Sequence, residues 1–177
     1  QLSAGNWHNC ARTIAGAVKC WGGNAEGQLG IGSTANQSIP VGVSGLSSGV
    51  RAISAGGTYT CALLEAGGVM CWGGNGSGQL GIGTSSVSET APQPVIGLPS
   101  NAIAISAGGR HTCAVVEGGE VMCWGDNGFG QIGNGSIGDE DVIYPERVPD
   151  LVGVKMVAAG YWHTCAITEE EVLCWGS

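Results

Sequence analysis

Apolar and small residues return along this chain on a fixed beat. Leu2, Ile53, Ile105 and Val157 occupy equivalent places at steps of 51, 52 and 52 residues. Each leads into a small-residue break: Ser3-Ala4-Gly5, Ser54-Ala55-Gly56, Ser106-Ala107-Gly108 and Ala158-Ala159-Gly160. Five residues after each glycine stands Cys-Ala (Cys10, Cys61, Cys113, Cys165), and nine or ten residues later Cys-Trp-Gly begins (Cys20, Cys71, Cys123, Cys174). A valine lies two places before each second cysteine (Val18, Val69, Val121, Val172). Cys61–Leu64 and Val69–Trp72 are β-prone runs around Glu65-Ala66-Gly67-Gly68, which predicts a hairpin closed by a glycine-containing turn. A further strand is expected near Pro94-Val95-Ile96, and no apolar period of 3.6 residues reaches helical length.

Self-similarity at about 50 residues, with four short strands in each unit, predicts an all-β fold of β-propeller blades, each a four-stranded antiparallel sheet. The chain reads as a single array over 1–177, with repeats near 1–49, 50–101 and 102–153 and an incomplete fourth over 154–177. Three copies continue into Gly27-Gln28-Leu29-Gly30, Gly78-Gln79-Leu80-Gly81 and Gly130-Gln131-Ile132-Gly133, whereas the fourth reaches Ser177 before that tract. Pooling two chains gives eight inner halves against six outer ones, so a simple closed pair does not balance. The array is therefore expected to be part of a larger propeller or assembly.

The eight cysteines fall into pairs separated by 10, 10, 10 and 9 residues. Pairing Cys61 with Cys71 sets positions 63 and 69 opposite each other and leaves a tight turn at Ala66, with the two sulfurs facing across antiparallel strands. Cα atoms in such pairs lie ~4.5–5.5 Å apart, within disulfide reach. The same arithmetic joins Cys10 to Cys20, Cys113 to Cys123 and, with a shorter turn, Cys165 to Cys174. Each bridge would add roughly 2–3 kcal/mol on the loop-entropy model, which matters in a chain with 34 glycines. Zinc ligation, usually at C-x₂₋₄-C spacing, and reduced buried thiols are the alternatives. Oxidised pairs point to an extracellular or secreted setting. There the sequons at Asn36, Asn75 and Asn134 become possible glycosylation sites.

Charge narrows the partners. Six basic against 14 acidic residues give a net charge of −8, an unfavourable partner for phosphate backbones. Nucleic acid is not expected, nor membrane insertion, since no apolar stretch approaches ~18 residues. Twelve of the 14 acids lie from Glu89 onward, including Asp139-Glu140-Asp141 and Glu169-Glu170-Glu171. These runs read as solvated loops, with calcium binding or docking of a basic partner as alternatives.

Two nucleophile- or phosphate-like motifs lose their meaning in context. Gly45-Leu46-Ser47-Ser48-Gly49 and Gly133-Asn134-Gly135-Ser136-Ile137-Gly138 need a following helix, and none is predicted. His8, His111 and His163 share a column with Tyr59, and Trp21, Trp72, Trp124 and Trp175 share another. Residues repeated in every blade are expected to be packing elements, the tryptophans between blades. No catalytic constellation, metal set or cofactor is expected. The columns that vary are different: Asn6-Trp7, Gly57-Thr58, Gly109-Arg110 and Tyr161-Trp162 would lie side by side on one face. Trp7, Thr58, Arg110, Tyr161 and Trp162, with Phe129 at a loop tip, are the candidate partner-binding residues.

The pattern Ala-Gly-x-x-His-Thr-Cys-Ala, then Val-x-Cys-Trp-Gly-x-Asn-x-x-Gly-Gln-Leu-Gly-x-Gly, resembles the regulator-of-chromosome-condensation repeats along essentially the whole chain. The resemblance implies a seven-bladed β-propeller, which at this period needs about 360 residues. The nuclear member lacks the regular cysteine pairs, whereas secreted bacterial relatives carry them. The expected function is therefore an extracellular, non-enzymatic propeller for protein–protein contact or assembly through blade edges. Two alternatives stand beside it. One is an enzyme inhibitor similar to the β-lactamase inhibitory protein. The other is guanine-nucleotide exchange, which acidity and paired cysteines disfavour.

Overall fold

The computed structural model describes residues 1–177 except Ser86, Val87 and Asp139. The first repeat folds into β1 (Leu2–Ala4), β2 (His8–Arg12), β3 (Val18–Gly22) and β4 (Gln37–Gly42). The second gives β5 (Val50–Ala55), β6 (Tyr59–Leu64), β7 (Val69–Gly73) and β8 (Glu89–Pro94). The third gives β9 (Ala102–Ala107), β10 (His111–Val116), β11 (Val121–Gly125) and β12 (Val142–Arg147). The last contributes β13 (Met156–Ala159), β14 (His163–Ile167) and β15 (Val172–Gly176). Each set is an antiparallel meander in sequence order, four-stranded three times and three-stranded once. No helix occurs among the described residues. The β-propeller blade expected from the repeat is the architecture found.

The outer strand of the second blade corrects the sequence reading. It spans Glu89–Pro94 rather than centring on Pro94-Val95-Ile96. Val95 still donates its amide to the Val69 carbonyl of β7, and Ile96 turns away, its amide donating to the Gly81 carbonyl. The mark of these strands is a proline, at Pro40, Pro92 and Pro145. A residue without an N–H suits the blade rim, where nothing pairs on the far side.

The hairpins follow the expected register. Cys10 faces Cys20, Cys61 faces Cys71, Cys113 faces Cys123 and Cys165 faces Cys174. All eight sulfurs are taken up in four bridges, each with Cα atoms 4.1 Å apart, so neither zinc nor free thiol remains for them. The first three bridges are wholly buried, whereas Cys165 is half-buried and Cys174 exposed. Thiol–disulfide exchange needs access to sulfur. Mild reduction under native conditions followed by alkylation is expected to label Cys165 and Cys174 first, read by peptide mass. Equal labelling of all four pairs would contradict this burial order.

Blades are joined by a repeated polar seam. The Ser3, Ser54 and Ser106 hydroxyls each accept the N–H of Ala55, Ala107 and Ala159 in the next inner strand, at 2.9 Å. Near the hub the Gly57 and Gly109 amides donate to Gly108 and Gly160 at 3.0 Å. Only glycine permits this approach: a Cβ on Gly108 would lie 2.4 Å from the Gly160 carbonyl oxygen. Further out, the Gln28 carbonyl accepts both the Thr60 hydroxyl and the Trp72 indole N–H at 2.9 Å. Gln79 serves Thr112 and Trp124 in the same way, and Gln131 serves Thr164 and Trp175. Around these bonds apolar side chains of consecutive repeats interlock: Leu29, Val43 and Leu46 with Ile53 and Trp72, then Leu80 with Ala114 and Trp124. The core thus lies between sheets, each fully buried Leu contributing about 2 kcal/mol.

The histidine column belongs to this seam. His8 Nε2 meets Thr60 Oγ1 and His111 Nε2 meets Thr164 Oγ1, both at 2.8 Å. Each threonine hydroxyl already donates to a glutamine carbonyl. It must therefore accept from histidine, which fixes the Nε2–H tautomer. Nδ1 is left buried without a partner in both rings. Tyr59, in the same column, spans the next seam by donating to the His111 carbonyl.

Candidate functional site

Two kinds of loop share one face, here called the front. Short turns link the first and second strands of each blade at 5–7, 56–58, 108–110 and 160–162. Long loops link the third and fourth strands at 23–36, 74–88 and 126–141. Buried amides give the long loops one shape. Asn24 Oδ1 accepts the Leu29 N–H at 2.9 Å, while its Nδ2 donates to the Ser33 and Ala35 carbonyls. Asn75 and Asn127 hold Leu80 and Ile132 likewise. Gln28, Gln79 and Gln131 then turn Oε1 back onto the amides of Glu26, Ser77 and Phe129. The tip residue is thereby presented by a fixed frame while its own side chain is free to differ.

Every tip leans on the short turn of the following blade. A Cβ at Gly74 would lie 2.7 Å from Thr58 Oγ1 and 3.6 Å from Glu26 Cβ, so these two side chains border one spot. Ser77 and Arg110 line a depression of about 190 Å³ together with Glu26 and Thr58. The Phe129 ring lies 5.4 Å from that of Trp162, which packs edge-on against Tyr161 at 4.8 Å. At the other end Trp7, Glu26, Asn36 and Thr58 line a cleft of about 370 Å³. Trp7 is 73% exposed, and Phe129, Tyr161 and Trp162 are 46–49% exposed. The six sequence candidates therefore form a row across the front. Phe129, Tyr161 and Trp162 make one cluster, Thr58 and Arg110 share a depression, and Trp7 stands at the far end.

Charge is divided between the faces. Of the six basic residues only Arg110 lies in the front loops, beside Glu26, Asp126 and Asp141. Burial pushes the Asp141 carboxyl above its ordinary range, Asp126 adds to the shift and Arg110 opposes it. Arg12, Arg147 and Lys155 are paired elsewhere with Glu65, Glu120 and Glu169, at 3.5, 3.1 and 3.1 Å. The Glu169–Glu171 run lines a groove beside Asp150 and Lys155 at the β14–β15 turn, away from the front. In the other acidic run, Asp139 lies outside the described residues.

The sequons differ in fate. Asn36 is exposed, its Oδ1 accepting the Asn24 N–H, and Asn134 is half-buried with Nδ2 bonded to Glu146 at 2.7 Å. Asn75 must be withdrawn as a glycan acceptor. It is fully buried and its Nδ2 donates to Thr84, as the loop frame requires. Sequence reasoning also missed the framework Asn and Gln residues as buried groups. Their recurrence at Asn24, Asn75 and Asn127 and at Gln28, Gln79 and Gln131 was the available signal.

Comparison with known proteins gives a consistent picture. Two profiles, both described as regulator of chromosome condensation (RCC1) repeat, match residues 1–28, 50–79 and 102–131 and residues 15–63, 66–115 and 118–167. A human relative, the probable E3 ubiquitin-protein ligase HERC3, is 35% identical over 170 residues, covering 94% of this chain but 16% of its own length. Yeast RCC1 (Prp20), solved bound to Kap60, superposes with a TM-score of 0.87 at 24% identity, over 99% of this chain and 43% of that one. The ectodomain of the Physcomitrella patens receptor kinase CR4 superposes with a TM-score of 0.60 at 26% identity, over 99% of this chain and 40% of that one. The chain thus spans less than half the length of each.

Proposed function

This chain belongs to the regulator of chromosome condensation (RCC1) repeat family, and on that footing we propose that it is a non-catalytic protein-binding module of an oxidising, extracellular setting. Its contact surface is the front row from Trp7 to Trp162. One observation carries the reading: variable tips, exposed at Glu26 and Phe129, stand on a buried Asn/Gln frame that repeats from blade to blade. A rigid scaffold bearing exposed aromatic and arginine side chains is the usual composition of a contact hot spot. The ligase named for HERC3 belongs to a protein of which this chain matches 16%, so that activity is not transferred. The extracellular setting is supported by four bridges and by the likeness to a receptor ectodomain.

Chemical cross-linking on the producing cells tests this reading. The triple variant Trp7→Ala, Phe129→Ala, Trp162→Ala is expected to lose at least about tenfold of its specific cross-linked partner. A control on the other side, Glu169→Gln with Glu171→Gln, is expected to keep it. Equal cross-linking by both would remove the front face as the contact surface.

A further inference from the structure

Resting on that reading, we infer that the front row takes an extended basic polypeptide segment, with one of its Lys or Arg side chains seated between the Trp7 ring and the Glu26 carboxylate. The cleft is built for a long cation. It is about 370 Å³ in volume and is lined by Trp7, Glu26, Asn36 and Thr58. Trp7 leaves most of its surface to solvent. The turn that carries it is pinned by the Gly23 N–H donating to its carbonyl at 2.7 Å. Glu26 is held as well: its amide is fixed by Gln28, and one carboxylate oxygen accepts the Ser88 hydroxyl. The other oxygen has no protein partner among the described residues. An aromatic ring and a half-used carboxylate lining one cleft suit an ammonium or guanidinium group.

Two further features select the whole segment. The Trp7 cleft and the Ser77–Arg110 depression share Glu26 and Thr58, so they adjoin. Past Arg110 the row ends on Phe129, Tyr161 and Trp162. An extended chain lying across these notches would meet an acidic notch, then Arg110 flanked by Asp126 and Asp141, then an aromatic platform suited to an apolar or aliphatic side chain. Three acids, Glu26, Asp126 and Asp141, against one base along the path favour a cationic strand over an anionic one.

Fluorescence anisotropy of a labelled dodecapeptide of alternating Arg and Leu tests the inference on the intact, oxidised chain. Saturable binding is expected, at least about tenfold tighter than for the Glu/Leu counterpart, and weakening as salt is raised. Glu26→Gln and Trp7→Ala are each expected to weaken it at least about fivefold, and both sites are exposed, so melting curves should stay superimposable. Glu170→Gln, on the other side, should leave binding unchanged. Equal affinity for the two peptides, absence of saturation, or insensitivity to both variants overturns the inference. If the basic peptide fails while the triple variant still abolishes the partner cross-link, the cationic occupant is wrong and the contact surface stands. If the cross-link is also indifferent, both readings fall.

Discussion

Acidification from pH 7 to pH 4 is expected to cost this protein about 3 kcal/mol for each of His8 and His111, beyond what its carboxylates contribute. Burial lowers both imidazoles from 6.5 to about 4; for His111 Asp126 opposes the shift and His163 adds to it. The cause is visible in the seam. Nε2–H is committed to threonine, and Nδ1 faces no acceptor, so a second proton would sit buried and unpaired. Between pH 6.5 and 4 the unfolded chain binds protons that the folded chain refuses. Stability is therefore complete above about 6.5, declines as pH falls through that window, and levels off below about 4. Tyr59 shows what can replace histidine, since from the same column its hydroxyl spans the seam between the second and third blades. The double variant His8→Tyr, His111→Tyr should flatten the urea-unfolding free energy across this window. Subtracting it from wild type cancels the carboxylates. An unchanged slope would remove the histidines as its origin.

Trp124→Ala is expected to destabilise by about 3–5 kcal/mol, whereas Trp21→Ala, in the same column of the repeat, should cost about 1 kcal/mol or less. Trp124 is fully buried and donates to the Gln79 carbonyl at 2.9 Å, inside the cluster that contains Leu80 and Ala114. Its removal opens a cavity and leaves that carbonyl with the Thr112 hydroxyl alone. Trp21 is half-buried on the flank of the first sheet, where no preceding sheet lies among the described residues. Urea midpoints of the two variants decide the matter. Equal losses would place the value of this column within single blades rather than between them.

What the sequence disclosed depended on how local each interaction is. The cysteine register was legible because both sulfurs belong to one hairpin, where separation and turn length determine pairing. The tryptophan column was legible as packing because repetition itself argues for a framework. Gln28, Gln79 and Gln131 were not recognised as buried, because glutamine in a glycine tract ordinarily reads as exposed loop. Their role depends on donors from the next blade, about 32–45 residues away. The sequon at Asn75 failed for the same reason: a three-residue pattern carries no information about burial. Phe129 and Trp162 were each singled out, yet their stacking joins residues of two different repeats. The rim strand runs from Glu89, ahead of Pro94-Val95-Ile96, because its pairing with β7 begins opposite Gly73.

The seam has a direction. One flank of each blade carries the serine hydroxyl and glutamine carbonyl acceptors together with histidine, tyrosine and glycine N–H or O–H donors. The other carries the threonine, tryptophan and backbone N–H donors together with the carbonyls and hydroxyls that accept from them. Two like flanks do not present these matched partners to each other, so the seam bonds would be left unmade. Any further unit of this kind must consequently add head to tail. Association that reproduces this seam is then heterologous, and it builds rotational rings or polar filaments rather than two-fold pairs.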